Sequence, residues 1–371
     1  MERLEGTLAP EPSAAGGSAA DGAEATRIRR ALDLPELSIE LGAALVPLAV
    51  SGSASDLVRR VAGLRQNVAR EIGFVIPPVS VVDNPAHLGA NDYRILLREA
   101  EIGRGSLLPD RMMVLSPTGA EPPLDGPLAR DPAFGLPTRW VHPDRRKEAE
   151  ALGLTIVDAD TVLVTHFGEL VRHHASELFG REEALAFVER CADRAPRLVA
   201  SAIPDVVPVG VLTRVLKRLL EEGVSIRDAR TILESLADLA MTTADLHQQL
   251  AGVRRALARQ LTAQVAEDGE VRALVISPSA EATLRATLGL RDGEPALMPD
   301  RKTAQRLFAS VRLGAEPLLS EGRMLVIFAE SELRRPLFSF LSPFQRHLRV
   351  MCPGELAGPA RFVQVGTVSV S

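Results

Sequence analysis

The chain has 371 residues, 46% of them hydrophobic and 4% aromatic, and a formal net charge of −5. That length predicts two to four domains of about 50–200 residues rather than one core. The acidic balance lacks the clustered basic face of a nucleic-acid binder, and one Trp and one Tyr offer little for a base- or sugar-stacking platform.

Residues 1 to about 30 are rich in Ala, Gly, Ser, Pro and Glu, as in Pro10-Glu11-Pro12-Ser13-Ala14-Ala15-Gly16-Gly17. Such a segment buries too little apolar area to offset its ordering entropy and reads as a flexible tether. It has no charged start followed by an apolar stretch, so it does not read as a signal peptide. The best candidate for a membrane span, Leu37 to Val50, contains Glu40 and Pro47 and falls short of the ~20 apolar residues needed. The chain as written therefore reads as soluble and intracellular.

Folded sequence starts near Leu37. Asp56 is placed to cap a helix running to about Ile72, with Leu57, Val61, Leu64 and Val68 on one face. Pro77-Pro78 stops a helix, Val79–Val82 reads as a strand, and Asp83-Asn84-Pro85 is turn chemistry. Tyr93, Ile95 and Leu97 alternate with Arg94 and Arg98 as in a half-buried strand, Gly103-Arg104-Gly105 reads as a turn, and Met112–Leu115 is a further short strand. Residues 116–137 carry six prolines and three glycines and end in Asp131-Pro132-Ala133-Phe134-Gly135-Leu136-Pro137, a loop-rich stretch. Strands at Trp140-Val141 and Thr155–Val157 flank a helix near Arg145–Leu152, which suggests a small α/β unit.

From about Asp160 to Gln264 the pattern is helical. Val211, Leu212, Val215, Leu216, Leu219 and Leu220 keep a buried-face spacing, Gly223 suits a left-handed C-terminal turn, and Ser225 with Asp228 offers a box-like helix start. The final stretch returns to α/β, with strand-like runs at Ala273–Ile276, Met324–Phe328, Leu348–Met351 and Val363–Val370 and helices near Glu281–Leu288 and Lys302–Leu313.

No phosphate-cradling glycine loop or nucleophile elbow is present. His166 and His173 share a helix face, but two turns separate them by about 10–11 Å, too far for one tetrahedral ion, so the histidines read as surface or capping residues. Glu182-Glu183 and Glu221-Glu222 read as solvated helix faces, and Arg334-Arg335 as a basic spot near a helix end. Cys191 and Cys352, without metal spacing, read as buried thiols in a reducing compartment. No cofactor, metal or catalytic residue is expected.

Several stretches, in order, resemble one family: Leu37–Gly42 with Leu45-Val46-Pro47, Pro77–Asn84, Asp131–Leu136, Thr165-His166, and Gly223–Asp228 followed by Arg230–Glu234. They are similar to the C-terminal cytoplasmic domain of the FlhA/SctV family, the large export-gate subunit of flagellar and type III secretion systems, with the flagellar branch closer. The resemblance covers residue 37 to the end and implies an α/β and α+β multidomain fold. Its parts would be a linker (1–36), a split first α/β subdomain (37–109 plus 159–178), a small inserted α/β subdomain (110–158), a helical bundle (179–258) and a C-terminal α/β subdomain (259–371). It implies a docking platform, not an enzyme, on the cytoplasmic face of the bacterial inner membrane. Expected partners are export chaperone–substrate complexes, other export-apparatus proteins including the export ATPase complex, and further copies of itself in a nonameric ring. Nucleic acid and small-molecule substrates are not expected. The docking groove between the first two subdomains points to Asp131, expected exposed, to Phe134 as an apolar anchor, and to Thr165. The family's membrane-spanning half has no counterpart here, and Arg139 and Phe167-Gly168 depart from the family's usual residues near the groove. Two alternatives stay open: a cytosolic α/β enzyme with a helical lid, and a stand-alone chaperone-binding regulator.

Overall fold

In the computed structural model of the chain, residues 34–50, 56–117, 119–345 and 347–370 are described. All but the end of the expected tether, and the side chain of Asp56 expected to cap a helix, lie outside them.

Strand β1 (Leu37–Leu41) connects through α1 (Val46–Val50) and α2 (Asp56–Ile72) to β2 (Val79–Asp83), a parallel neighbour. Antiparallel strands β3 (Asp92–Leu97) and β4 (Ala100–Ser106) complete the order β2-β1-β3-β4. The register explains the alternation: Leu37, Ile39 and Leu41 face Leu97, Ile95 and Tyr93, and all six are buried on the side that also buries Leu57, Val61 and Val68 of α2. Gly103-Arg104-Gly105 is not a turn but the middle of β4. The chain reverses instead at Arg98 and Glu99, both at positive φ (48° and 66°), a two-residue hairpin made without the usual glycine or asparagine.

Four antiparallel strands follow, β5 (Met112–Leu115), β6 (Leu128–Arg130), β7 (Pro137–Val141) and β8 (Thr155–Asp158), in the order β6-β7-β5-β8, with α3 (Arg146–Ala151) between the last two. Met113 and Trp140, paired in register, turn to the main core of the molecule. Met112, Val114 and Val141 turn the other way and close a small core with Leu124, Ala149 and Leu154. Helix α4 (Ala159–His173) packs against α2, β4 and β5, tying the two sheets together.

The helical stretch comprises α5 (Ala175–Leu178), α6 (Arg181–Ala192), α7 (Pro196–Ala202), α8 (Val209–Glu221), α9 (Ala229–Ala240), α10 (Leu246–Ala256) and α11 (Ala258–Val265). Helix α8 buries Leu212, Val215, Leu216, Leu219 and Leu220, and Gly223 at φ 64° closes it, with Val224 N–H donating to Leu219 O. The start of α9 differs from expectation: Asp228 is the cap, accepting from Thr231 N–H at 3.1 Å, and the Ser225 hydroxyl has no partner among the described residues.

The last unit contains β9 (Glu270–Ile276), α12 (Pro278–Arg285), a hairpin of β10 (Leu288–Arg291) and β11 (Glu294–Leu297), α13 (Arg301–Ser320), β12 (Leu325–Phe328), α14 (Ser331–Leu341), β13 (Leu348–Met351) and β14 (Arg361–Val368). Its parallel sheet runs β13-β12-β9-β14. Helix α12 stops before Leu288, which opens the hairpin instead. The fold is a mixed α/β arrangement of several units, and no described helix is long and apolar enough to cross a membrane.

Candidate functional site

The loop between β6 and β7 is a tight hairpin, because Arg130 pairs with Pro137 and only six residues lie between. Asp131 organises it. Its N–H donates to Leu136 O at 2.9 Å, its carbonyl accepts from Gly135 N–H at 2.8 Å, and its carboxylate Oδ2 accepts from Phe134 N–H at 2.6 Å. Gly135 sits at φ 72°, the conformation that lets the loop turn back. Asp131 is only 6% exposed, contrary to the expectation of an exposed partner-facing acid, because these backbone donors draw it inward. Burial raises its carboxyl above the usual carboxylate range, partly countered by the amides of Phe134 and Ala133.

With Asp131 pinning the backbone and Ala133 buried, Phe134 stands at the tip, 50% exposed. Its ring lies 5.9 Å from that of His347, in the segment before β13. Thr165 is half-buried on α4, and no hydrogen bond joins it to Asp131 or Phe134 among the described residues. The connection runs beneath the surface. His166, the next residue, is buried and its Nδ1 lies 2.8 Å from the hydroxyl of the fully buried Tyr93. Burial and the charge of Asp131 both hold that phenol above its ordinary range. His166 is thus a core residue, not a surface or capping one. Strand β4 supplies the room: a Cβ at Gly105 would fall 2.6 Å from the Tyr93 hydroxyl, and one at Gly103 3.1 Å from the His166 ring. Of the departures noted in the sequence, Phe167 is fully buried and lines no surface, while Arg139 donates to Gly126 O at 2.8 Å and pairs with Glu121.

Beside the loop opens a cleft of about 380 Å³, walled by Ala133, by Glu169, Arg172 and His173 of α4, by Glu221 at the end of α8 and Gly223 just beyond it, and by Arg335, His347 and Arg349 of the last unit. Behind it lies a charge network that joins the helical stretch to the last unit. Glu222 is 2% exposed and accepts from Arg254 at 2.7 Å, Arg334 at 2.5 Å and Arg335 at 3.1 Å, while Arg254 also grips the buried Glu355 at 2.6 Å. Glu222 is not on a solvated face, and Arg334-Arg335 is not a surface spot. Glu222 caps the C-terminus of α8 and the arginines lie in the second turn of α14, each at the end its charge disfavours. Burial pushes the Glu222 carboxyl up, but the three guanidiniums outweigh it and hold it at about 2. Sequence reasoning missed this network because Glu222 and Arg334 are 112 residues apart.

Comparison with known proteins gives a consistent set of likenesses. The FHIPEP family profile matches residues 6–360. Flagellar biosynthesis protein FlhA of Bacillus subtilis is 33% identical over 343 residues, 91% of this chain and 50% of that protein. Flagellar biosynthesis protein FlhA of Escherichia coli is 38% identical over 306 residues, 81% of this chain and 44% of that protein. The chain thus spans about half the length of the curated relatives it matches. Among solved structures, the Chlamydia pneumoniae CdsV protein in its complex with CdsO superposes with a TM-score of 0.80 at 24% identity, over 90% of this chain and 97% of that one. The nonameric EPEC SctV-C superposes at 0.72 with 20% identity, over 90% and 98%. At these identities the structural likeness speaks to fold alone.

Proposed function

The chain belongs to the FHIPEP family of export-gate proteins, and from that premise we propose that it is the cytoplasmic docking platform of a type III protein-export gate, of the flagellar branch. In this reading it is a binding module rather than an enzyme, works at the cytoplasmic face of the bacterial inner membrane, and receives export chaperone–substrate complexes at a surface formed by Phe134 and Thr165 and held in place by Asp131. Self-assembly into a ring and contact with other export-apparatus proteins, including the export ATPase complex, belong to the same reading. A nonameric ring of one structural neighbour and the complex of another with CdsO support them. The division into 1–36, 37–109 plus 159–178, 110–158, 179–258 and 259–371 is proposed with it.

One observation carries the docking site: Phe134 is a half-exposed aromatic on a loop whose backbone is fixed from inside by the buried Asp131 carboxylate. A rigid aromatic tip is an anchor for an apolar helix face at low entropic cost. Asp131 acts by holding the anchor rather than by touching the partner. The test is binding of a flagellar chaperone–cargo complex by calorimetry, beside a melting curve. Phe134→Ala is expected to weaken binding by about 2 kcal/mol or more while leaving the protein folded. Asp131→Ala is expected to lose both affinity and loop order, and Thr165→Ala to lose affinity alone. Full affinity in a folded Phe134→Ala variant would refute the site.

A further inference from the structure

Three arginines line the cleft beside the docking loop, and they are not equivalent. Arg172 brings Glu71 and Glu169, at 2.9 and 3.2 Å. Arg335 brings Glu221 and Glu222, at 2.5 and 3.1 Å. Arg349 has only backbone carbonyls, Leu348 O and Gly223 O, each at 3.2 Å, and its Nε donates to no acceptor among the described residues. Its guanidinium is seated on Gly223, where an added Cβ would lie 2.3 Å from Nη2 and 2.6 Å from Cζ. The seat is therefore open only because residue 223 has no side chain.

The local carboxylates are unevenly shared. Arg172, Arg218, Arg254, Arg334 and Arg335 each pair with at least one of Glu71, Glu169, Glu221, Glu222, Glu294 and Glu355, whereas Arg349 hydrogen-bonds to no carboxylate among the described residues. A guanidinium removed from water is costly unless an anion compensates it. Burial, with the repulsion of Arg254, lowers the Arg349 pKa against the opposing charges of Glu222 and Glu71. Arg349 lines a cleft of about 380 Å³, with Glu71, Glu169 and Glu221 also on its walls, that can admit a few residues of another chain.

We propose that this cleft is an oxyanion-binding site in which Arg349, with Arg172 and Arg335 on the walls, receives a carboxylate side chain of a docked acidic polypeptide. A guanidinium fork suits a carboxylate because two parallel charge-assisted N–H···O bonds form at once. The inference deepens the docking reading, since Ala133 of the docking loop lines the same cleft, and it rests on that reading only for the polypeptide's origin. A partner would then present an apolar side chain to Phe134 and an acidic one to Arg349.

The experiment follows the arginine Nε–H resonances of the unsubstituted full chain by NMR at constant ionic strength. The probes are an acetylated, amidated tetraglutamate, its tetraglutamine counterpart and sodium phosphate. Saturable movement of the Arg349 resonance with tetraglutamate but not tetraglutamine is expected, with binding weakened at least about tenfold in Arg349→Gln. Phosphate is expected to compete, because it shares the oxyanion chemistry. Saturation by phosphate with no response to tetraglutamate would overturn the polypeptide assignment, and movement of other arginines only, or of none, would overturn the site. The readout in the unsubstituted protein decides the matter if Arg349→Gln folds poorly. Phe134→Ala is expected to leave phosphate binding unchanged, so failure of the docking surface and failure of the oxyanion site are separable.

Discussion

Replacing Glu222 by Gln tests whether the buried charge network clamps the helical stretch to the last unit. The substitution keeps size and shape but removes the charge facing Arg254, Arg334 and Arg335. One Glu222 oxygen accepts from Arg254 and Arg334 and the other from Arg335, so an amide must turn its NH2 towards a guanidinium donor. The fall of this carboxyl from its ordinary 4.5 to about 2 corresponds to about 3 kcal/mol, at about 1.4 kcal/mol per tenfold. Breaking a buried pair by removing one partner costs about 3–5 kcal/mol by general experience, the same range. The sign is fixed by linkage. The folded-state pKa lies below the unfolded one, so the stabilisation is complete above about pH 5 and is lost as pH falls towards 2. Urea unfolding followed by circular dichroism should therefore show Glu222→Gln less stable by about 3–4 kcal/mol at pH 7. The gap to the parent should narrow to under about 1 kcal/mol at pH 2.5. Comparing the two proteins at each pH cancels the other carboxylates. A gap below about 1 kcal/mol at pH 7, or one that does not narrow in acid, would refute the reasoning.

Two further substitutions probe how the first sheet supports the loop. Tyr93→Phe removes the buried hydroxyl that meets His166 at 2.8 Å and should cost about 1–2 kcal/mol in the same assay, with a cost near zero showing the bond to be dispensable. Gly42→Ala places a Cβ 2.0 Å from Gly89 O, a backbone atom that no rotamer change can move, so a loss of more than about 2 kcal/mol is expected, and a normal melting temperature would contradict the packing described.

Much of this protein was legible from local pattern. The apolar spacing of Leu212 to Leu220 specified α8 and its buried face, Gly223 its left-handed end, and the alternation of Tyr93, Ile95 and Leu97 the buried side of β3. These signals are periodic or conformational and reside within a few residues, so the chain alone carries them. The ordered series of motifs likewise carried the family, and with it the expectation of Phe134 as an anchor, which the residues around it alone did not separate from a core side chain. What tertiary structure decided was the fate of charge. Asp131, Glu222 and His166 carry no local mark that separates a solvated side chain from a buried one. Burial of Asp131 depends on amide donors that its loop supplies only once folded back. Burial of Glu222 depends on arginines that lie 32 to 113 residues away. Burial of His166 depends on a tyrosine 73 residues earlier and on two strand glycines that the sequence suggested were a turn. Ionic and polar groups leave water only when distant partners repay the loss of hydration, and that pairing is fixed by the packing of the units, not by the order of residues around each charge.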